Sequence, residues 1–473
     1  MNGCPARTMP KRNLLILFVA LAAGVLSWMA RDHGGHGRRF AEVVAAIEQR
    51  YVHQIDGDEL FAAAMNGVFA TLDEHSGFLA GQAQDEFNAV LDQEFGGVGL
   101  QLAVSGRQIV VQAPIVQSPA WQAGIVCGDL IESIDGRPTD GMSLDDVVAD
   151  LRGTPGTIVV VGVATPVTGA VPTLDPAVSP SMPVTRRSVA LTRERVAMES
   201  VRGERRLPDG SWNWWIEGEE AVALVRILNF GERTADEVQA ALEAVARRCA
   251  ADGVSGIVVD LRGNGGGLLD AAVEVCDLFL DEGVIVSTRG ADGLVVPRQA
   301  TSGRQLPDVP LVVLIDGLTA SAAEIVAACL QDNRRATIVG SRSYGKGTVQ
   351  SLLPLSDGSA TLKLTTAEYL RPSMATIHRN AADDTSATWG VQPMPQYEIT
   401  PTRQQTGVTA AWRQARDAAV FPDDRPSCCG SPSRAIMQKR ATAPQPPAGK
   451  LPREVDPILA RGLEALGKRG ATP

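Results

Sequence analysis

The sequence predicts an α/β protein of more than one domain, and three observations lead there. Two apolar runs, Gly256-Ile257-Val258-Val259 and Leu311-Val312-Val313-Leu314-Ile315, each end in a turn followed by a helix-forming stretch, the strand–loop–helix order of a parallel sheet. Between Glu94 and Val163 the texture changes to short β-rich runs broken by turns, whereas residues 40–93 carry apolar residues at helical spacing. At 473 residues the chain is also too long for one core and divides into two or three domains.

Composition sets the outer limits. An apolar content of 44% with 21% charged residues is that of an ordinary globular protein, and a net charge of −10 argues against a nucleic-acid partner. Seven cysteines (4, 127, 249, 276, 329, 428, 429) show no paired spacing, so no disulfide framework follows. Five histidines (33, 36, 53, 75, 378) include no two at metal-ligand spacing near carboxylates, which argues against a zinc hydrolase or any metal centre.

The elements follow in order. Arg7, Lys11 and Arg12 precede an apolar run from Leu14 to Leu26 that continues to Ala30. The stretch 13–30 would span roughly 27 Å as a helix. It is read as an uncleaved anchor, with residues 1–12 in the cytoplasm and the rest beyond the membrane: a single-pass inner-membrane protein facing the periplasm. A cleaved signal peptide, releasing the chain to the periplasm, competes; a cut after Ala30 would put Trp28 at −3, a poor fit. Residues 31–93 form a linker and a helical region, with Phe40, Val43, Val44, Ile47 and Tyr51 on one face and a second series from Leu60 to Leu72. Asp73-Glu74-His75-Ser76-Gly77 breaks that region, and His75 reads as a loop histidine.

Residues 94–163 resemble a PDZ domain. Gly97-Val98-Gly99-Leu100 matches its carboxylate-binding loop, and Ser118-Pro119-Ala120 through Gly128-Asp129-Leu130-Ile131 matches the segment that follows. Such a loop offers backbone N–H groups to a terminal carboxylate while a strand edge accepts the peptide as an extra strand. Residues 164–185, rich in Pro, Thr, Val and Ser, read as a linker or surface insertion. Strand-like Ser188–Thr192 and Val222–Leu228 follow, then a helix from about Ala235 to Cys249.

Three segments carry chemistry. In the first, the 256–260 strand empties into Gly263-Asn264-Gly265-Gly266-Gly267, a loop able to turn N–H groups toward an oxyanion. A phosphate cradle is the rival, although the Lys-Ser/Thr of a P-loop is missing. The second is Asp316-Gly317-Leu318-Thr319-Ala320-Ser321, after which a helix starts with Ser321 in its first turn, against the positive end of the helix dipole. Helix capping is the ordinary role of such a serine. The third is Gly345-Lys346-Gly347-Thr348-Val349-Gln350. The chain has only six lysines among 44 basic residues, and Lys346 is the one lysine between positions 11 and 363. Arginine holds its proton, whereas a desolvated lysine can lose one and act as a base toward a hydroxyl. Gln350 lies four residues on, able to support the amine without adding charge; a solvated loop lysine is the ordinary alternative.

Together these segments resemble the carboxyl-terminal processing (tail-specific) serine protease family. Asp260-Leu261-Arg262-Gly263-Asn264-Gly265-Gly266-Gly267, Thr319-Ala320-Ser321-Ala322-Ala323-Glu324-Ile325 and Gly345-Lys346-Gly347-Thr348-Val349-Gln350 carry the likeness, and Leu72-Asp73-Glu74-His75-Ser76 is similar to the family's turn before the PDZ domain. The resemblance implies a ClpP/crotonase-like βαβ protease core over 186–400 with the PDZ domain inserted ahead of it, and a tail over 401–473 with a short helix at Asp456–Leu466. It implies Ser321 as nucleophile, Lys346 as general base and Gln350 as its support, with the N–H groups of Ala322 and Gly266 as oxyanion hole. No cofactor is implied, and the expected partners are proteins or peptides with free C-terminal tails. Departures fall at Thr319, at Pro372-Ser373-Met374-Ala375-Thr376-Ile377-His378 and at Gly390-Val391-Gln392-Pro393, which bears on substrate fit. The alternatives are a catalytically inactive PDZ adaptor that binds tails and, further off, a crotonase-like acyl-CoA enzyme.

Overall fold

The computed structural model describes residues 35–166, 184–207, 209–301, 309–380, 389–417 and 450–469. Of these, 35–80 with 354–363 form one compact unit and 81–353 with 364–469 another.

In the first unit, helices α1 (Gly35–Arg50) and α2 (Gly57–Phe69) bury none of their residues. Phe61 meets Phe40 and Phe78 edge-on, at centroid distances of 6.5 and 5.8 Å. The turn at 73–77 is held by the Asp73 carboxylate, which accepts the N–H groups of His75 (2.9 Å) and Ser76 (3.1 Å). Strand β1 (Gly77–Ala80) then pairs antiparallel with residues 360–363.

The anchor expected at 13–30, and the N-terminus before it, lie outside the described residues. Among the described residues no helix is long and apolar enough to cross a membrane. The nearest in length, Thr234–Asp252, carries Asp236, Glu237, Glu243, Arg247 and Arg248. The expectation of a single-pass inner-membrane protein with a membrane partner is corrected accordingly.

In the second unit, helix α3 (Gln82–Asp92) leads into a short ribbon of β2 (Glu94–Gly97) with a returning strand at Glu194–Ala197. Inside that ribbon an antiparallel sheet runs in the spatial order β3 (Leu100–Ser105), β4 (Gln108–Pro114), β5 (Leu130–Ile134), β6 (Ile158–Pro166) and β7 (Val184–Thr192). Helix α4 (Leu144–Leu151) starts at a reciprocal cap between Ser143 and Asp146 and buries Val147 and Leu151 under this sheet. The sheet extends further than expected. Val184–Thr192 pairs with Ile158–Pro166 along its whole length, so 186–192 completes the PDZ sheet instead of opening the protease core.

The core sheet is parallel: β8 (Glu219–Ile227), β9 (Gly256–Asp260), β10 (Leu311–Ile315) and β11 (Ala336–Gly340) lie side by side in that order. The last three are buried at every position, which requires cover on both faces. Ile257, Val259, Leu311, Val313 and Ile315 face helices α5 (Thr234–Asp252), α6 (Leu269–Asp277) and α7 (Ala322–Asp332). The alternate residues Val258, Val312 and Leu314 face Ile458, Leu459, Ala465 and Leu466 of a C-terminal helix, α8 (Pro457–Arg469). That helix falls where Asp456–Leu466 was expected to be helical, and its docking gives the second face its cover. Each of its larger apolar side chains contributes about 1.5–3 kcal/mol by burial. Antiparallel strands β12 (Thr348–Pro354) and β13 (Ala360–Leu370) follow the core, with β13 also paired to Val284–Gly290.

Asp456, just before α8, ties this helix to the loop after β9. Its carboxylate accepts both terminal nitrogens of Arg262 at 2.8 Å, and Arg413 lies 3.6 Å away. Burial alone would raise the Asp456 pKa, but the Arg262 charge and its hydrogen bonds more than offset this and bring it down to about 2. A carboxylate held below its unfolded value contributes its full stability above that value, near 3.8, and loses it as pH falls toward 2. Urea titrations at pH 6 and pH 2.5 are expected to show an acid loss smaller by roughly 1–2 kcal/mol in Asp456→Asn than in wild type. Equal losses would contradict the pairing.

Candidate active site

Because β9, β10 and β11 are parallel, the loops after Asp260, Ile315 and Gly340 open on one edge of the sheet, at the carboxyl ends where α/β proteins place their sites. In the first loop the buried Asn264 donates its side-chain amide to the Ile227 carbonyl (2.9 Å) and accepts the N–H of Gly266 (2.8 Å). Gly266 has φ +100, and a Cβ there would fall 2.7 Å from Ser321 Cβ and 3.0 Å from the Ala322 nitrogen. Only glycine lets this loop lie against the second one.

The second loop is sewn to the first. Asp316 Oδ1 accepts N–H groups from Gly263 (3.0 Å), Leu318 (3.0 Å) and Thr319 (3.1 Å). The Thr319 hydroxyl donates to the Leu261 carbonyl (2.9 Å), and the Ala320 N–H to the Asn264 carbonyl (2.9 Å). These bonds hold Ser321 at φ 56 and ψ −119, a backbone region that costs a non-glycine residue on the order of 1–3 kcal/mol. Ser321 stands at the N-cap of α7, but not in the extended conformation of ordinary N-cap residues. The N–H of Ala322, first in the helix, meets no acceptor among the described residues.

Glu324 joins the second loop to the third. It is fully buried, and each of its oxygens accepts two hydrogen bonds. Oε1 takes the Ser343 hydroxyl (2.5 Å) and the Gly345 N–H (2.7 Å); Oε2 takes the N–H groups of Ser321 (2.9 Å) and Lys346 (2.8 Å). One carboxylate oxygen thus holds the backbones of Ser321 and Lys346 together. Burial pushes the Glu324 pKa up, and these four bonds pull it partly back. The third loop is clamped further: Tyr344 N–H donates to Thr319 O (2.9 Å), Arg379 N–H to Gly345 O (2.9 Å) and Tyr369 N–H to Gly347 O (2.7 Å).

Ser321, Ala322, Gly266 and Lys346 therefore meet at one sheet edge. Gln350 donates its amide to the hydroxyls of Thr348 (2.9 Å) and Thr365 (3.2 Å) within the β12–β13 pair. The Gly266 N–H is engaged by Asn264. Gly97, Val98, Gly99 and Leu100 form a separate site, the connection from β2 to β3. There Gly99 sits at φ +78, and a Cβ would come within 2.4 Å of the Ser118 hydroxyl. Sequence reasoning passed over one residue, Glu324. Glu324 had a readable signal: it is the single acid in Ala322-Ala323-Glu324-Ile325-Val326-Ala327-Ala328-Cys329-Leu330, every residue of which is buried.

The chain is similar to proteins already known. Residues 221–393 match peptidase family S41, and residues 110–165 match a PDZ domain. A carboxy-terminal-processing protease of Bartonella bacilliformis is 35% identical over 340 residues, covering 72% of each chain. A carboxyl-terminal-processing protease of Synechocystis sp. is 34% identical over 337 residues, 70% of this chain and 72% of that one. Among solved structures, the photosystem II D1 C-terminal processing protease is 28% identical, with 76% of this chain and 92% of that chain covered at a TM-score of 0.40. With its α/β core, its PDZ domain and these relatives, the chain belongs to the carboxy-terminal-processing serine proteases of peptidase family S41.

Proposed function

We propose that this protease captures the free carboxyl terminus of a protein on its PDZ domain and cleaves the preceding segment with a Ser321–Lys346 dyad. The observation that carries the reading is the shared Glu324 oxygen, which fixes a serine of strained backbone beside the chain's one lysine between positions 11 and 363. Lys346, as the neutral amine, takes the Ser321 proton as the hydroxyl attacks the peptide carbonyl. The tetrahedral oxyanion is met by the N–H of Ala322 and one from the glycine loop; for Gly266 this means exchanging the Asn264 oxygen for the oxyanion. The Lys346 ammonium then protonates the leaving amine, and water releases the acyl group by the reverse proton path. Gln350 acts on the base from a distance, bracing the strand that leaves the Lys346 loop through Thr348.

Capture falls to the 97–100 loop and to β3, which pairs only with β4 and leaves one edge open among the described strands. An extended tail adds to that edge while its carboxylate meets the loop N–H groups. Two measurements test the reading. A fluorophosphonate probe is expected to form its adduct at Ser321. A peptide with a free C-terminus is expected to be cleaved at a KM roughly tenfold or more below that of its amidated twin, the scale of hydrogen bonds to a charged group. Equal KM values would remove tail capture, and an adduct at another residue would remove the dyad.

A further inference from the structure

We propose that Arg379 is a specificity residue of the protease, selecting substrates with a carboxylate side chain, Asp or Glu, close to the scissile bond. This role rests on the serine–lysine reading above and deepens it. Arg379 is rooted against the Lys346 loop. Its backbone N–H donates to the Gly345 carbonyl at 2.9 Å, and a Cβ on Gly345 would fall 2.9 Å from the Arg379 Cβ. The same added atom would meet the Trp389 ring at 2.8 Å, so the indole lies on Gly345 as well. That ring carries two cations: the guanidinium carbons of Arg379 and Arg342 stand 4.8 and 4.6 Å from its centroid. Its mounting is firm. The Ser343 N–H donates to the Val391 carbonyl (3.0 Å), the Val391 N–H to the Ser343 hydroxyl (2.7 Å) and Arg342 to the side-chain oxygen of Gln392 (2.5 Å).

Charge identifies the ligand. The chain as a whole is acidic, at −10, yet the segments 341–350, 376–380 and 389–393 hold Arg342, Lys346 and Arg379 and no acid. Glu324, the carboxylate that joins these loops, is buried and saturated by four donors. Arg379 is exposed, and among the described residues it pairs with no carboxylate. A guanidinium keeps its charge at every working pH and offers a fork of N–H groups that matches a carboxylate. Contact with Trp389 restrains the side chain beforehand and so reduces the entropy lost when substrate binds. An extended substrate advances about 3.3 Å per residue, so an arginine rooted beside Gly345 meets a side chain within a few residues of the bond that is cleaved.

Peptides with free C-termini, carrying Glu or Gln at each position in turn around the scissile bond, test this through their kcat/KM. At one position or more the Glu peptide is expected to be cleaved at least about fivefold better, the scale of an exposed ion pair. In Arg379→Gln that preference should fall to less than half of its wild-type value. In wild type it should shrink in the same way between roughly 0.05 and 0.5 M salt. The preference is a ratio taken within one enzyme, so a general loss of activity or of folded protein cancels. A smaller preference at every position in wild type would overturn the inference; that is the outcome if Asp383 or Asp384, outside the described residues, holds the guanidinium. A preference that survives in Arg379→Gln, or that salt leaves unchanged, would overturn it too. The amidated twins are run alongside: a KM penalty for amidation that disappears in Arg379→Gln assigns the residue to the terminal carboxylate and sinks the side-chain role. Failure of the dyad shows separately, as a fluorophosphonate adduct away from Ser321.

Discussion

Ser321→Ala and Lys346→Ala are each expected to lower kcat by on the order of 10⁴–10⁶-fold, and the double variant by no more than the worse of the two. In the proposed mechanism the hydroxyl and the amine form one proton-transfer unit. Without the amine, Ser321 has no acceptor for its proton as it attacks; without the hydroxyl, the amine has nothing to activate. What the proposed mechanism leaves in all three variants is the orientation and oxyanion stabilisation it assigns to Ala322 and the glycine loop. Lys346→Arg separates charge from proton transfer. Arginine has its proton at every working pH, so this variant should be as inactive as the alanine one. That outcome also accounts for a lysine at this position in a chain where 38 of 44 basic residues are arginine. Steady-state cleavage of a peptide with a free C-terminus measures all four variants. Losses that multiply in the double variant would mean that the two side chains act independently, and the dyad would fall.

How much of this was legible beforehand depends on the range of the interactions involved. Strands 256–260 and 311–315 were readable because burial on both faces makes them continuously apolar. The loops after them were readable because close approach leaves glycine at 266, where a Cβ would strike Ser321. The cover on the second face was not, since α8 lies in an Ala/Arg/Pro-rich region and its tie to the core, Arg262 to Asp456, spans 194 positions. Of the strand Val184–Thr192 only Ser188–Thr192 was readable, and its place in the PDZ sheet was hidden differently. Its Arg186 and Arg187 interrupt any apolar pattern, and they find partners in Glu132 and in the carbonyls of Ala123 and Gly124 only once the PDZ sheet has formed. Gln350 shows the limit of spacing arguments. Four residues of separation do not name its partners: its amide donates to the hydroxyls of Thr348 on its own strand and Thr365 on the neighbouring one.

Glu324→Gln is expected to lower kcat by at least a hundredfold and to remove from the acid decline of kcat the part set by Glu324, leaving the part set by protonation of Lys346. The carboxylate receives four donors, two per oxygen, so no position on it is free for an N–H₂ group. Glutamine must set its amide nitrogen against either the Ser343 hydroxyl and Gly345 N–H or the N–H groups of Ser321 and Lys346. In both cases two buried donors lose their acceptor, at about 1–3 kcal/mol each, and the backbones of nucleophile and base lose their common support. Alanine leaves all four unmatched, a large part of the 5–15 kcal/mol that stabilises a typical domain, so glutamine is the informative change. Protonation does in wild type what glutamine does permanently, because it turns one acceptor oxygen into a donor. Since burial sets the Glu324 pKa above its ordinary value, kcat should decline on acidification earlier than an ordinary carboxylate would require. Stability responds with the opposite sign. A folded pKa above the unfolded one means that the folded state binds the extra proton within that window, so the Glu324 contribution grows as pH falls through it and is lost as pH rises. Activity and stability thus part across a single titration, and comparison with Glu324→Gln isolates the effect of this group from those of other carboxylates. A glutamine variant with wild-type kcat and an unaltered acid limb would mean that the Ser321 and Lys346 loops hold their geometry without the bridge.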